Sequence, residues 1–159
     1  MEGDINTRGK QRGFTLFELL VVFSILAILS SLLIIAIDIP RRFAQADDVA
    51  RMADLKTILS AIHEYAIENN GAIPPGLSPA EKQIGYSVSG CVNLNRGCDV
   101  LENACLDLST TLAKYLTVFP KDLKTGSNAK TNYSVKIVSD VVTVKACGSE
   151  GASELSLSL

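Results

Sequence analysis

The most constraining feature of this sequence is an apolar run without charge near its N-terminus. Residues 19–37 read LLVVFSILAILSSLLIIAI and contain no Asp, Glu, Lys or Arg. A helix needs roughly 20 apolar residues to cross a bilayer core, so the run has the length of a membrane span. It also explains a mean hydropathy of +0.25, which is high for a soluble protein. The chain from Asp38 onward is long enough for one small folded head.

The signals that precede the run are not in the order of a secretory signal peptide. Arg8, Lys10 and Arg12 come first, Gly13 follows, and the apolar residues begin only then. A secretory signal places a small-residue cleavage site after an apolar stretch of roughly 7 to 15 residues, which is shorter than the run in this sequence. A simple signal anchor would explain the run itself.

Glu18 is not explained by a simple anchor. An acidic side chain in a membrane span costs about 2.5 to 3.5 kcal/mol at the helix centre and less near the interface, and such residues usually mark function. We therefore expect a partner that neutralises Glu18.

The segment GFTLFE, residues 13–18, resembles the processing site of type IV pilins and type II secretion pseudopilins. The resemblance implies that a prepilin peptidase cuts between Gly13 and Phe14 and then methylates the new amino group of Phe14. It also implies that Glu18 is the acidic residue that these proteins keep in their apolar helix. A cationic amine on Phe14 of one subunit can pair with Glu18 of its neighbour where water is scarce.

The same resemblance implies an α+β, pilin-like fold in which a long N-terminal helix, transmembrane in its first half, packs on a small C-terminal antiparallel sheet. The sequence divides accordingly into a cleaved leader (1–13), the transmembrane or filament-core half of the helix (14–37), its amphipathic second half (38–70), a loop region (71–104), a sheet-containing head (105–150) and a C-terminal tail (151–159).

Helical periodicity continues beyond the apolar run. Pro40 lacks an amide donor and predicts a kink or a loosened turn. Apolar residues then recur at three- and four-residue steps, which predicts a stripe facing the sheet, made of Val49, Met52, Leu55, Ile58, Leu59, Ile62 and Tyr65. The opposite side is predicted to hold Arg51, Asp54, Ser60, Glu64 and Glu68. Asn69-Asn70-Gly71 and Pro74-Pro75 predict the helix end.

Shorter elements are predicted in the second half of the chain. Residues 78–81, SPAE, have the pattern of a capping box with proline in the first turn, which predicts a short helix. Residues 107–116 are predicted to form another, with Leu108, Leu112, Tyr115 and Leu116 on one face. Alternation predicts strands over 133–137 and 142–146, joined near Ser139-Asp140. The tail, 151–159, is either a frayed end or an added edge strand.

Four cysteines, Cys91, Cys98, Cys105 and Cys147, all follow the apolar run. An even count in a small head predicts two disulfides in an oxidising compartment. Four cysteines allow three connectivities, among which we favour Cys91 with Cys98 and Cys105 with Cys147, because the second pair would close a long segment. A metal site is the alternative, but six residues separate successive members of the first three, unlike a CxxC knuckle.

The charge pattern bears on location and partners. The net charge is −2 with scattered basic residues, so a direct nucleic-acid interface is not expected. Basic residues on both sides of the run leave the positive-inside bias weak, but the cysteines favour a head outside the cytoplasm. We therefore expect a single pass through the cytoplasmic (inner) membrane, followed by residence in an extracytoplasmic filament.

Three functions from different classes are compatible with these features. The first is a structural subunit, either a pilin of a type IV pilus (fimbrium) or a major-type pseudopilin of a secretion or DNA-uptake machine. The resemblance implies copies of itself, the prepilin peptidase and methyltransferase, and an inner-membrane assembly platform as its partners. The second is a monomeric, membrane-anchored binding module, for which cleavage after Gly13 would be absent and loss of Glu18 harmless.

The third function, an anchored enzyme, has the least support. The sequence assembles no nucleophile with a base, no Gly-rich phosphate loop and no zinc signature, and His63 is a single histidine without nearby partners. No EF-hand spacing occurs among the loop acids Asp99, Glu102, Asp107 and Asp122. We therefore assign no catalytic residue, cofactor or metal ligand.

Overall fold

The computed structural model describes residues 13–36, 39–150 and 154–159. These residues form two helices and four strands: α1 (Leu16–Ala36), α2 (Ile39–Glu68), β1 (Lys82–Gln83), β2 (Tyr133–Val138), β3 (Val141–Ala146) and β4 (Leu155–Ser158). Helices followed by a small antiparallel sheet are the predicted α+β, pilin-like layout. Most of the predicted leader, with Arg8, Lys10 and Arg12, lies outside the described residues, as does the junction at 37–38.

The chain divides into two compact units, residues 1–39 and 40–159. The first contains α1, an uninterrupted apolar helix apart from Glu18 and its serines. The hydroxyl groups of Ser24, Ser30 and Ser31 donate to helix carbonyls three or four residues earlier, at 2.7 to 2.8 Å, which satisfies them within the helix. No helix in the described residues meets the combined length and hydropathy requirement for a membrane span.

Helix α2 supplies one side of the core of the second unit. Pro40 stands in its first turn, where a missing amide donor is tolerated. Leu55, Ile58, Leu59 and Ile62 are buried as predicted. The prediction for Val49 is wrong, because this side chain is 70% exposed. From residue 41 onward, the first buried side chain of α2 is Arg51. The helix ends as predicted, at Glu68, with Asn70 and Gly71 at positive φ.

The prediction that Arg51 and Asp54 lie on the solvent side is also wrong. Arg51 is only 3% exposed, and Asp54 is half-buried. Position 51 is four residues before Leu55 and seven before Ile58, so helical geometry places it on the core face. Its charge is tolerated there because carboxylates surround it, as described below.

The sheet has the order β1-β2-β3-β4, with antiparallel pairing throughout. Strands β2 and β3 confirm the predicted hairpin, and the turn residues Ser139 and Asp140 both have positive φ, as a two-residue hairpin loop requires. The side chains of Tyr133, Val135 and Val144 join the core with α2. Side chains at alternate positions, such as Ser134, point to the opposite face.

The two sheet edges extend the sequence-based description. Strand β4 pairs with β3 from Thr143↔Ser158 to Ala146↔Leu155, so the edge-strand alternative for the tail is confirmed. Strand β1 lies inside the region predicted to be loop, and pairs with β2 through only two residues.

Both short helices are absent where they were predicted. Ser78 donates to the carbonyl of Ala80 at 3.1 Å instead of capping a helix, and Glu81 turns inward to accept from Ser134 Oγ at 2.6 Å. Residues 109–115 form consecutive turns rather than a helix, consistent with the low helix propensity of Ser109, Thr110 and Thr111. The apolar face is nevertheless correct, because its four members join the core: Leu108, Leu112, Tyr115 and Leu116.

The disulfides join Cys91 to Cys105 and Cys98 to Cys147, so the favoured pairing is wrong. The backbone groups of Asn93 and Val100 exchange two hydrogen bonds of 3.0 Å, which folds the segment between them into a hairpin. This hairpin brings Cys91 and Cys105 together, with Cα atoms 5.3 Å apart, and presents Cys98 near its tip. Sequence spacing alone carried no sign of that hairpin.

Candidate processing and assembly site

The predicted cleavage bond lies just outside α1. Residues 13–15 have no regular secondary structure, and, apart from its chain neighbours, no described residue has an atom within 4 Å of the position that a Cβ would take on Gly13. The side chain of Phe14 is 82% exposed. The Gly13–Phe14 peptide bond is therefore accessible in this unit, as a peptidase requires.

Thr15 and Glu18 form a capping box at the start of α1. The backbone N–H of Glu18 donates to Thr15 Oγ1 at 3.1 Å, and the backbone N–H of Thr15 donates to Glu18 Oε2 at 3.5 Å. Two amide groups that a helix start would otherwise leave without partners are thereby satisfied. The sequence-based reading missed this role, although a Thr-x-x-Glu pattern before an apolar run is its usual signal.

This geometry gives Glu18 a local function besides the predicted one. Its carboxylate faces back toward the N-terminal end of α1, where the helix dipole favours negative charge. The Thr15 amide that it contacts belongs to the residue directly after Phe14. The fold therefore holds a carboxylate near the place where cleavage would create a positively charged amine.

Residues 16–31 of α1 present exposed apolar side chains on all sides of the helix. Leu16 is 85% exposed, and Phe17 and Phe23 are also mostly exposed. A shallow apolar groove of about 520 Å³ runs along one side of the helix, lined by Leu16, Leu19, Leu20, Phe23, Ser24 and Ala27. A surface of this kind requires an apolar environment, whether lipid or other protein.

A cluster of charged side chains joins α2 to the loop that contains Asp122. Arg51 Nε donates to Asp122 Oδ2, and Arg51 Nη1 donates to Asp48 Oδ1 at 2.8 Å. Glu150 lies 3.8 Å from the same guanidinium. The other oxygen of Asp122 accepts from the backbone amides of Lys124 and Thr125 at 3.0 and 2.8 Å. Every charge in this buried cluster therefore has partners.

The cluster changes the ionisation of both central groups. Burial opposes the charged form of Arg51, but the hydrogen bonds with Asp122 and Asp48 outweigh it and raise the pKa of the guanidinium. Burial likewise disfavours the Asp122 carboxylate, yet the bonds from Arg51 and Thr125 hold its pKa below the usual range. Both groups are therefore charged throughout the physiological range.

A buried tyrosine adds a further link between α2 and the sheet. The hydroxyl of Tyr133 donates to Asp54 Oδ2 at 2.6 Å. Burial, and then this bond, raises the pKa of Tyr133. Asp54 thus anchors α2 to β2, one turn after Arg51.

The other residues considered from sequence are not brought together. His63 is exposed on α2, and the loop acids Asp99, Glu102 and Asp107 are exposed as well. Within the described ranges, no three His, Cys, Asp or Glu side chains are placed to hold a metal ion.

Comparison with known proteins identifies the N-terminal segment. Residues 8–34 match the family model of the prokaryotic N-terminal methylation motif. No curated protein matches the chain, and no solved structure does. The matched range contains Gly13, Phe14, Glu18 and most of α1. The chain therefore carries the prepilin-type signal that is the signature of type IV pilin and pseudopilin precursors.

Proposed function

We propose that this protein is a structural subunit of an extracytoplasmic filament, either a type IV pilus or a secretion pseudopilus. One observation carries the proposal: the methylation motif coincides with an accessible Gly13–Phe14 bond at the start of an apolar helix. Cleavage there would remove residues 1–13 and leave Phe14 as the methylated N-terminus.

The apolar surface of α1 has two successive environments in this proposal. Before assembly, residues 14–37 lie in the cytoplasmic membrane with the head outside, where an oxidising compartment permits both disulfides. After extraction by an inner-membrane assembly platform, the same surface packs against α1 of other copies. The energy of leaving lipid is offset because each apolar side chain remains away from water.

Glu18 sets the register between subunits in this scheme. Its carboxylate pairs with the methylated amine of Phe14 in the neighbouring copy, where the low dielectric strengthens the attraction. The capping box supports the idea, because it holds the carboxylate at the N-terminal end of α1 in a defined orientation.

The decisive experiment is mass spectrometry of the mature N-terminus from a strain that expresses the full chain. We expect a chain that starts at N-methylated Phe14, and a Gly13→Arg variant that keeps its leader because the added side chain obstructs the peptidase. A wild-type chain that retains Met1 would contradict the proposal and favour the monomeric anchored binding module.

The pairing of Glu18 is tested by three variants with filament yield as the measurement. Glu18→Gln retains a capping-box side chain but removes the charge, Glu18→Ala removes both, and Thr15→Ala weakens the cap while keeping the charge. We expect normal processing in all three, with filament growth slowed or abolished only in the two Glu18 variants. Normal filaments from Glu18→Gln would show that capping, not charge pairing, is the role of Glu18.

A further inference from the structure

Strand β4 leaves one edge of the sheet open in the described part of the chain. The sheet order ends with β4, whereas the β1 side is partly covered because Ile137 N–H donates to the Ser78 carbonyl at 3.0 Å. Residues 155–159 read LSLSL and contain no charge or proline. Natural proteins usually protect exposed sheet edges with charged residues or proline. Because β4 has neither, its edge is suited to pairing with another strand.

The register of β4 shows which of its backbone groups face outward. Leu159 and Val142 exchange two hydrogen bonds, of 2.9 and 3.0 Å. Bonding alternates along an antiparallel pair, so Leu157 and Leu155 also bond inward to β3. The N–H and C=O groups of Ser156 and Ser158 therefore point away from the sheet.

An apolar groove runs beside this edge, between β4 and α2. It has a volume of about 440 Å³ and is lined by Lys56, Leu59, Ser60, His63, Glu64, Leu157 and Leu159. Leu157 is half-buried, and Leu159 is 52% exposed. An added strand would place alternate side chains over this groove, which is how strand addition gains specificity.

A second copy of β4 fits this edge in one antiparallel register. With Leu157 opposite Leu157 of the other copy, Ser156 pairs with Ser158 and Ser158 with Ser156. Each serine then exchanges both outward backbone bonds with its counterpart. The two Leu157 side chains form a non-hydrogen-bonded pair, in which side chains come closest, and they cover the groove from both sides.

The flank of α2 is self-complementary under the same symmetry. The two-fold axis of this pairing is normal to the sheet, so it reverses the direction of α2 as well as of β4. The groove-lining flank of one α2 therefore faces the same flank of the other in antiparallel orientation. The α2 residues that line the groove extend from Lys56 to Glu64, with Ser60 midway. An axis that passes opposite Ser60 sets Lys56 of each copy opposite Glu64 of the other.

We propose that two copies of this protein associate through their β4 edges across a two-fold axis at Leu157, with Lys56–Glu64 pairs between the α2 flanks. The contact is isologous and closed, so it joins two copies and does not by itself build a filament. Because it reverses α2, it joins subunits that point in opposite directions. If the proposed function holds, the contact therefore lies between separate filaments.

Cysteine cross-linking of the full chain in detergent tests the register directly. Opposed Leu157 residues would have Cα atoms about 4.5 Å apart, within disulfide range, so Leu157→Cys should give a covalent dimer under mild oxidation. In Ser156→Cys, the Cα atoms of the two cysteines would be about 8 to 9 Å apart, too far for a disulfide. We expect efficient dimer from the first variant, little from the second, and recovery in the Ser156→Cys/Ser158→Cys double variant.

Charge exchange across α2 gives a second test that leaves β4 intact. Lys56→Glu and Glu64→Lys should each raise the dissociation constant of the dimer about fivefold, the size expected of exposed ion pairs. The double variant should restore the wild-type value. Sedimentation velocity in detergent measures the change, with Lys82→Glu as a control away from the groove.

Equal cross-linking of the two single cysteine variants, or a monomeric protein with both native disulfides intact, would overturn the proposal. The test is separable from the proposed function, because the detergent assay does not require a filament. The state of Phe14 is read independently by mass spectrometry of the same preparation.

Discussion

The helix α1 and the head contain similar apolar residues but differ in whether these residues are buried. In α1, large side chains such as Leu16 and Phe17 are mostly exposed, and its polar groups bond to its own backbone. In the head, Leu55, Ile58 and Leu112 are fully buried against the sheet and the turn segment. The head therefore buries these large apolar side chains within its own unit, whereas α1 leaves those of residues 16–31 exposed in its unit. Large apolar side chains therefore stabilise the fold in the head, whereas in α1 they form a surface that is available to partners.

From residue 41 onward, Arg51 is the first buried side chain of α2, since residues 41–50 are exposed or half-buried. Polar contacts with the rest of the head begin earlier, because Asp47 pairs with Lys124 at 2.6 Å and Asp48 accepts from the backbone N–H of Glu150 at 3.1 Å. Polar contacts therefore join α2 to the head about one turn before its buried stripe begins.

The largest expected effect on head stability is loss of the Cys98–Cys147 disulfide. This bond closes a separation of 49 residues, against 14 for Cys91–Cys105. Chain-entropy arguments give about 4 kcal/mol for the Cys98→Ala/Cys147→Ala variant and about 3 kcal/mol for Cys91→Ala/Cys105→Ala. Guanidinium unfolding measures both values, and the reverse ranking would contradict this account.

A matched pair of leucine variants tests the contrast between the two regions. Leu55→Ala should lower the free energy of unfolding of the head by about 3.5 kcal/mol, because it leaves a cavity at a fully buried site. Leu20→Ala, at a side chain that is 57% exposed in α1, should leave head unfolding unchanged and reduce filament yield. Comparable destabilisation of the head by both variants would remove the distinction.

Arg51→Met should destabilise the head by about 3 kcal/mol, since it leaves Asp122 buried without its cationic partner. The double variant Arg51→Met/Asp122→Leu should recover much of this loss, because no buried charge then remains unpaired. Chemical unfolding of the single and double variants forms the measurement. A double variant less stable than Arg51→Met would show that the cluster does more than compensate for the burial of its own charges.

The smallest expected effect is the pH dependence that Asp122 contributes. Because the folded-state pKa of Asp122 is lowered, its contribution is fully present above the unfolded pKa, about 3.9, and is lost as the pH falls through the lower folded pKa. The difference in unfolding temperature between wild type and Asp122→Asn should therefore be constant near pH 7 and shrink below about pH 4. A difference that grows in acid would contradict the assignment.

Sequence periodicity predicts the elements in which the spacing of apolar residues matches the buried face of the strand or turn segment. The hairpin of β2 and β3, the end of α2 and the apolar face at Leu108 and Leu112 were all predicted from spacing. The capping box at Thr15 and the core position of Arg51 also follow from spacing. Polarity alone misplaces Arg51, because its charge is balanced by carboxylates inside the head.

Other features depend on contacts between distant segments and have no local signal. Glu81 forgoes a helix because Ser134, 53 residues later, donates to it in a buried position. The cysteine pairing depends on a hairpin held by Asn93 and Val100, and on Cys147 following β3 directly. Such choices are made by tertiary packing, which overrides local propensity.

The Cys98–Cys147 bond also has a mechanical consequence. If the chain assembles into a filament as proposed, pulling on that filament loads each subunit, and an unfolding head lengthens by the contour length of the segment that is released. The bond encloses 49 residues, so about 160 to 180 Å of chain cannot be drawn out while it is intact. Only the segments that flank the ring can then be extended, and β2 and β3, which lie inside it, stay within the covalent loop.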